Sequence, residues 1–399
     1  MAERMAEVEL SSVVLHDAEP RSLLSQNYTQ MACHLTDSQI SIAEDDVETA
    51  MGIVHVHVQG NRSKPAIVTY HDIGLSGVTA FQGFFNHSEM QPLLKHFCVY
   101  HVTAPGQQDG ALPLPQGLGF LGDASLMNNY QYPSMDHLAE MLLPVMQFYG
   151  MKRFIGFGVG AGANVLARFG LMHADKVEGL VLVNCSAGKS SWTEWGYQKL
   201  NAWHLKSGQL SAQVEEYLLW HWFGSKTMCE NHDLMMVFSD YIKAINPQNL
   251  SHYIQSYIKR TDLGLVRETD PSKRAQTRNF KFPVMLVAGE SSPHLDQVVQ
   301  MNARLDPADS TWMKFECGGM VLEEAPDKMA EAFRLFLQGM GYVPSLSQTK
   351  IVGEHEAARR ASMSAGFGSG SPARNAAPAN FNQRRVSHPV TPNPEFAAC

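Results

Sequence analysis

Apolar residues along the chain occur in short runs that alternate with longer stretches of helical spacing. In residues 52–60 every second residue is apolar, as expected of a strand with one buried face. Later runs are apolar almost throughout, which is typical of parallel strands covered on both faces. They occupy residues 66–70, 97–102, 154–158, 179–184, 282–289 and 311–315. This alternation predicts an α/β fold with a mostly parallel sheet and helices on both faces.

The segments between these strands carry apolar residues at helical spacing. Residues 135–149 and 161–173 are predicted to be helices, and the last helix is predicted at residues 327–340. Between about residues 190 and 278 the strand pattern stops while the helical spacing continues. We therefore expect a helical cap inserted after the sixth strand.

Three parts of the chain differ in composition. Residues 1–30 lack sustained periodicity and are predicted to form a flexible arm, whereas residues 31–343 are predicted to form one folded domain. Residues 344–399 are rich in Ala, Ser, Pro, Gly and Arg and poor in large apolar residues. Such a segment buries too little surface to fold, so we expect a disordered tail.

The 399-residue chain has a formal net charge of −8, and this charge is unevenly distributed. Residues 350–399 contain six Lys or Arg and three Glu, which gives +3 for this segment and leaves −11 for the rest. Binding of nucleic acid needs clustered Lys and Arg to contact phosphates. The acidic body therefore argues against a nucleic-acid groove.

The six cysteines are far apart and form no CxxC pair. This spacing favours reduced thiols over disulfides or a zinc site, and we expect no metal or cofactor. We find no signal-peptide pattern and no run of about 18 apolar residues that would span a membrane. The sequence predicts a cytoplasmic protein without a transmembrane segment, and leaves peripheral membrane association open.

The segment Phe154–Asn164 has the small-x-nucleophile-x-small pattern of the turn that carries the nucleophile in α/β-hydrolases. The nucleophile position is occupied by Gly160, with Gly158 and Gly162 as the flanking small residues. Glycine adopts the left-handed conformation of this turn freely but supplies no reactive atom. A side chain at position 160 is expected to cost roughly 1 kcal/mol or more in backbone strain.

The other two positions of the catalytic triad are also predicted to be vacant. Three residues beyond Gly289, at the end of the seventh strand, the acid position falls on Ser292. Counting back from the segment 324–326 places the base at Gly319, or at Met320 with a one-residue slip. A hydrolase of this fold needs all three groups, so the vacancies predict a protein that is not an enzyme.

The backbone donors of the oxyanion hole do not depend on side-chain identity. They are expected at Ala161 and in the loop 70–74, and we predict a relic anion site formed by His71, Asp72 and Ala161. Two alternatives remain open. One is a hydrolase or lyase that uses displaced groups such as His71, Asp72 or Asp109; the other is a small-molecule sensor that uses the relic pocket.

Two further candidate groups have structural interpretations that we favour. His55 and His57 lie on one face of a strand, but no third metal ligand is visible near them. Cys185 follows an apolar strand without a neighbouring sign of thiolate activation, which favours a buried structural thiol.

Four segments resemble those of the N-myc downstream-regulated (NDRG) family: Glu48–Gly52, Tyr70–Gly74, the glycine-only turn and Phe336–Tyr342. The resemblance spans roughly residues 35–345. It implies an α/β-hydrolase fold without hydrolase activity. It also implies a cytoplasmic protein that acts through protein partners in signalling, differentiation, stress response or trafficking.

The tail contains two segments, Arg359–Ser362 and Arg384–Ser387, in which a pair of arginines precedes a serine. Basophilic Ser/Thr kinases select this arrangement with acidic grooves, so we predict phosphorylation of Ser362 and Ser387. The resemblance also implies a phosphorylated tail, although the tandem decapeptide repeat of some relatives is missing here. Each phosphate adds about −1.5 to −2 of charge, and two would bring the tail to neutral or slightly negative.

Overall fold

A computed structural model describes residues 42–114, 131–191, 208–268 and 272–342, together with the single residues 196, 205 and 270. The predicted arm and tail, including Ser362 and Ser387, lie outside the described residues. Within these ranges no helix is long and apolar enough to cross a membrane.

Eight strands of the described chain form one sheet. They are β1 (Ile42–Thr49), β2 (Gly52–Gly60), β3 (Ala66–Tyr70), β4 (Cys98–Thr103), β5 (Phe154–Val159), β6 (Val177–Val183), β7 (Val284–Gly289) and β8 (Ser310–Phe315). Their order is β1-β2-β4-β3-β5-β6-β7-β8. Strand β2 is antiparallel to β1 and β4, and the other neighbouring pairs are parallel. The mostly parallel sheet predicted from the apolar runs is confirmed.

Helices connect these strands on both faces of the sheet. They are α1 (Gly77–Asn86), α2 (Gln91–Leu94), α3 (Met135–Glu140), α4 (Leu142–Phe148), α5 (Gly160–Met172), α6 (Ala212–Glu230), α7 (His232–Ala244), α8 (Pro247–Ile258), α9 (Leu295–Asn302), α10 (Val321–Glu324) and α11 (Pro326–Gly339). The single helix predicted over residues 135–149 is divided into α3 and α4. Pro144 explains the division, because proline has no N–H for the carbonyl of Glu140.

The hydrophobic core lies between the sheet and the helices that cover it. Val54, Val56 and Val58 of β2 are buried, as their alternation predicts, and every residue of β3 and β5 is buried. On one face, Phe81 and Phe85 of α1 pack edge to face against Phe157 of β5. Burial of each such side chain contributes about 1.5–3 kcal/mol to folding.

Helices α6, α7 and α8 lie between β6 and β7. Ser211, Asn231 and Asn246 begin these helices by accepting backbone N–H groups of the first turn with their side-chain oxygens. Gly224 interrupts α6 with φ 79° and ψ 165°, values that a residue with a side chain adopts only under strain. This irregularity lies where α6 approaches the loops that follow β7 and β8.

Candidate functional site

The predicted turn between β5 and α5 is present in the structure. Gly160 has a φ of +53°, in the left-handed region. A Cβ atom at Gly162 would lie 2.1 Å from the carbonyl oxygen of Tyr70, and one at Gly158 would lie 2.6 Å from Cα of Ala163. The flanking glycines are therefore required because β3, β5 and α5 approach closely.

The space beside Gly160 contains the carboxylate of Asp72. A Cβ atom at Gly160 would lie 2.1 Å from Cγ of Asp72, well inside van der Waals contact. Oδ1 of Asp72 accepts hydrogen bonds from the backbone N–H groups of Ala161 and Ile73, each at 2.8 Å. Asp72 is 3% exposed. The carboxylate thus fills the volume in which a nucleophile side chain would begin.

His221 of α6 lies on the other side of this carboxylate. Its Nε2 is 3.0 Å from Oδ2 of Asp72, and both side chains are buried. The neighbouring Trp222 donates from Nε1 to the carbonyl oxygen of Ile73 at 3.0 Å. Two consecutive residues of α6 are therefore hydrogen-bonded to the loop that follows β3.

The environment of Asp72 favours its ionised form. Burial alone would raise the pKa of this carboxyl. The charge and hydrogen bond of His221 oppose this effect, together with the Ala161 N–H group and the charge of His294, and they hold the pKa below its ordinary value. Asp72 is consequently an anion at neutral pH.

His71 is directed away from the carboxylate of Asp72. Its Nδ1 donates to the Asp72 carbonyl oxygen at 2.7 Å, and its Nε2 accepts the N–H of Ala104 at 2.9 Å. Burial lowers the pKa of His71 to about 4, so the ring is neutral at physiological pH. Both ring nitrogens are engaged, and they connect the loops that follow β3 and β4.

Ser292, at the predicted acid position, belongs to a polar network. Its Oγ donates to Oδ1 of Asn184 at 3.0 Å and accepts the N–H of His294 at 3.1 Å. Asn184 in turn donates from Nδ2 to the carbonyl oxygen of Gly319 at 2.7 Å. Asn184 therefore joins the predicted acid and base positions.

Gly319, at the predicted base position, is packed against the backbone of α6. A Cβ atom there would lie 2.1 Å from the Trp222 carbonyl oxygen, and the N–H of Gly319 donates to the Phe223 carbonyl at 3.0 Å. The space for a histidine side chain is thus occupied by α6. Met320, the alternative position, has a buried side chain.

Glu324 is also hydrogen-bonded to the loop that contains Gly319. Its carboxylate accepts the N–H groups of Gly318 at 2.8 Å and Met320 at 3.1 Å. It also accepts the hydroxyl of Thr227, on α6, at 2.7 Å. The loop between β8 and α10 is consequently fixed to α6 by side-chain and backbone contacts.

Gly160, Ser292 and Gly319 were predicted from the sequence as triad positions, but the groups that surround them were not predicted. The structure brings Asp72 and Ala161 together and directs the His71 side chain elsewhere. His221 and Trp222 were not predicted to lie here, because they belong to an insertion far along the chain and no motif marks them.

The remaining candidate residues are His55, His57, Cys185 and Asp109. His55 and His57 of β2 lie near Asp46 and Glu44 of β1. In the part of the chain that the structure describes, no group of three or more His, Cys, Asp or Glu is arranged to hold a metal ion. Burial raises the pKa of the Cys185 thiol to about 12, which agrees with an unreactive thiol. Asp109 is exposed.

The strand order, the crossover connections and the glycine turn after β5 define an α/β-hydrolase fold. A hydrolase from Pseudomonas aeruginosa PA01 has the same fold, with a TM-score of 0.58 and 17% identity over 74% of this chain and 98% of that chain. The enol-lactonase from Burkholderia xenovorans LB400 has a TM-score of 0.57 and 16% identity over 74% and 100% of the two chains. At these identities the likeness extends to the fold alone.

The chain belongs to the Ndr family, whose model matches residues 44–344. Protein NDRG3 of Xenopus laevis is 42% identical over 313 residues, which cover 77% of this chain and 78% of that protein. Protein NDRG1 of Xenopus tropicalis is 41% identical over 313 residues, covering 77% and 74% of the two chains. The resemblance inferred from the sequence is confirmed, and membership of this family fits a non-catalytic protein.

Proposed function

We propose that this protein is a non-enzymatic adaptor whose folded body binds other proteins. The observation that carries the proposal is the Asp72 carboxylate beside Gly160. Acyl transfer in this fold requires a nucleophile at the turn and free backbone donors for the oxyanion. Here the nucleophile position is a glycine, and the Ala161 N–H group is already hydrogen-bonded to Asp72. Neither requirement is met.

A general base at this centre is also missing from its usual position. His221 and His294 lie next to each other at this centre, with their ring centroids 4.5 Å apart. Nε2 of His221 faces Asp72, and Nε2 of His294 donates to the His221 carbonyl oxygen at 2.9 Å. These partners and the burial of both rings support a packing role for the two histidines.

The family gives the proposal its biological context. We propose a cytoplasmic protein that acts in signalling, differentiation, stress response or trafficking. Its tail would be phosphorylated at Ser362 and Ser387 by a basophilic kinase. The partners of the folded body would be proteins, because its acidic charge disfavours nucleic acid.

The second candidate is a hydrolase or lyase that uses the Asp72–His221 pair as displaced acid and base. The 3.0 Å contact between the two side chains favours it, since paired carboxylate and imidazole groups are common in catalytic sites. Their burial disfavours it, because Asp72 and His221 are only 3% and 2% exposed. A sensor that binds a small molecule at the relic pocket would have to displace Asp72.

Turnover measurements distinguish the adaptor from the enzyme. The purified full-length chain is incubated with short-chain and long-chain esters and with a fluorophosphonate probe, next to an active serine esterase as positive control. We expect hydrolysis at the buffer rate and no covalent labelling, because Gly160 supplies no nucleophile at the turn. Activity that co-purified with the wild-type protein and disappeared in His221→Ala or His71→Ala would overturn the proposal.

A further inference from the structure

Three hydrogen-bond donors from separate parts of the chain converge on the Asp72 carboxylate. The N–H of Ile73 belongs to the loop after β3, and the N–H of Ala161 belongs to the first turn of α5. The third group is the imidazole of His221 on α6, which faces Oδ2. Amide groups at a helix amino terminus favour anions through both their hydrogen bonds and the helix dipole.

Two of these donors correspond to the groups that bind an oxyanion in α/β-hydrolases. In that fold the oxyanion hole combines the N–H of the residue after the nucleophile with an N–H of the loop after β3. Ala161 and Ile73 occupy these places here, and both lie 2.8 Å from Oδ1 of Asp72. This distance is normal for a charge-assisted hydrogen bond. Both N–H donors are therefore present, and both are already hydrogen-bonded to Asp72.

We propose that this centre is a carboxylate-binding site whose ligand is Asp72 of the same chain, and that the bound carboxylate locks α6 onto the body of the fold. Without the carboxylate, the N–H groups of Ile73 and Ala161 would lose their shared buried acceptor. The inference goes beyond the adaptor function and holds whether or not a protein partner binds.

The contacts around His221 explain how the carboxylate would control α6. Trp222 and Phe223 follow His221 directly, and they hydrogen-bond to Ile73 and Gly319 of the body. The Asp72–His221 contact is thus the first of three consecutive links between α6 and the loops at the carboxyl ends of the strands. Loss of the carboxylate should loosen the residues from 221 onward.

Chemical rescue tests the proposed site. In the full-length Asp72→Ala variant we expect a lower Tm than in wild type, because the donors lose their acceptor. Sodium formate or acetate should raise this Tm saturably, by at least about 2 °C relative to sodium chloride at equal ionic strength. A bulky carboxylate such as pivalate should give no such rise, because the vacated space is small.

Two matched variants act as controls. Asp72→Asn keeps the side-chain shape and fills the space, so formate should not raise its Tm beyond the chloride control. Asp240→Ala removes an exposed carboxylate that pairs with the exposed Lys243, and it should not respond to formate either. Equal responses of all three variants, or none in Asp72→Ala, would overturn the proposal.

Hydrogen exchange tests whether the Asp72 carboxylate holds α6 against the body of the fold. Backbone amides of residues 221–224 should exchange faster in Asp72→Ala and slow again when formate is added, while those of α11 should not change. If Asp72→Ala does not fold alone, its refolding yield in formate is compared with that in chloride. No gain in yield, or unchanged exchange in a folded variant, would contradict the proposal.

Discussion

At the scale of single residues, Gly160 and Asp72 depend on each other. A side chain at position 160 would overlap the Asp72 carboxylate, and without a side chain there the carboxylate reaches the Ala161 N–H group. The glycine is therefore needed for two reasons. One is its positive φ, and the other is the space that Asp72 occupies.

These two reasons can be separated with a matched glycine. Gly150 also has a positive φ, but a Cβ atom there would meet nothing within 4 Å. Gly150→Ala should cost about 1 kcal/mol of unfolding free energy through backbone strain. Gly160→Ala should cost about 1–3 kcal/mol more, because it also overpacks the site. The sequence-based expectation of about 1 kcal/mol at Gly160 counted backbone strain alone.

Chemical denaturation of the two variants and of wild type measures this difference. In an Asp72→Ala background the excess cost of Gly160→Ala should largely disappear, because the overlapping carboxylate is gone. Equal costs of the two glycine substitutions, or an excess that persists without Asp72, would show that the carboxylate does not occupy this space.

The sequence located Gly160 because the turn is a local pattern of small residues around one position. It could not place Asp72 against Gly160, since these two residues are 88 positions apart in the chain. Asp72 was predicted to help form an anion site. In the structure, the Asp72 carboxylate is itself the anion that accepts the hydrogen bond from the Ala161 N–H group.

At the scale of elements, strands with both faces buried were predicted closely, because their apolar runs are continuous. Strand β1 was not assigned from the apolar pattern. It is an edge strand in which four of the eight residues are charged and, of its residues with described burial, Val47 is the one that is buried. The interruption of α6 at Gly224 was also missed, since the helical spacing continues on both sides of it.

Neutral histidines connect neighbouring strands and their loops. His101 of β4 donates from Nε2 to Gln59 of β2 at 3.3 Å, and its Nδ1 lies 2.9 Å from the Thr69 hydroxyl of β3. Burial, with a smaller effect of the His57 charge, lowers the pKa of His101 to about 3. His71 joins the loops after β3 and β4 in the same neutral state.

Stability should therefore decrease as the pH falls from about 7 to 4. An unfolded histidine takes up a proton near pH 6.5, whereas folded His71 and His101 do so only near pH 4 and 3. Their stabilising contribution is complete above about pH 6.5 and is lost below it, by up to about 1.4 kcal/mol per pH unit for each histidine.

Urea denaturation at intervals between pH 4.5 and 7.5 measures this slope. His71→Asn removes one of the two buried histidines. It should lower the free energy of unfolding and reduce by about half the pH dependence that the two histidines cause. A slope that does not change in His71→Asn would contradict the assignment of a neutral, buried His71.

At the scale of the whole molecule, α6 contacts loops at the carboxyl edge of the sheet, and a groove lies at another edge. A groove of about 580 Å³ is lined by Val177, Pro283 and Tyr342, among others. Val177 begins β6 and Pro283 precedes β7, so this groove lies at the amino edge of the sheet. A protein that binds partners without catalysis does not need an accessible carboxyl edge, which is the edge at which hydrolases of this fold carry out their reaction.

Family membership and fold were accessible from the sequence because local motifs carry them. The packing around Gly160 could not be predicted from the sequence, because it results from contacts between side chains of the insertion and residues of the loop after β3. Of the predicted triad positions, Gly160 has the Asp72 carboxylate where a side chain would begin, and Gly319 has the Trp222 carbonyl oxygen there.

The most direct test is to return the missing nucleophile. Gly160→Ser, confirmed as folded by circular dichroism, is treated with a fluorophosphonate probe and examined by intact mass, next to wild type and an active serine esterase. The Asp72→Ala/Gly160→Ser double variant, which relieves the overlap, is treated identically. We expect no labelling and no ester turnover in either variant. The predicted base position holds Gly319 in both; His221 is hydrogen-bonded to Asp72 in the single variant, and in the double variant it has lost the carboxylate that would orient it as a base. Stoichiometric labelling at position 160 together with turnover would contradict the claim that this centre has become part of the packed structure.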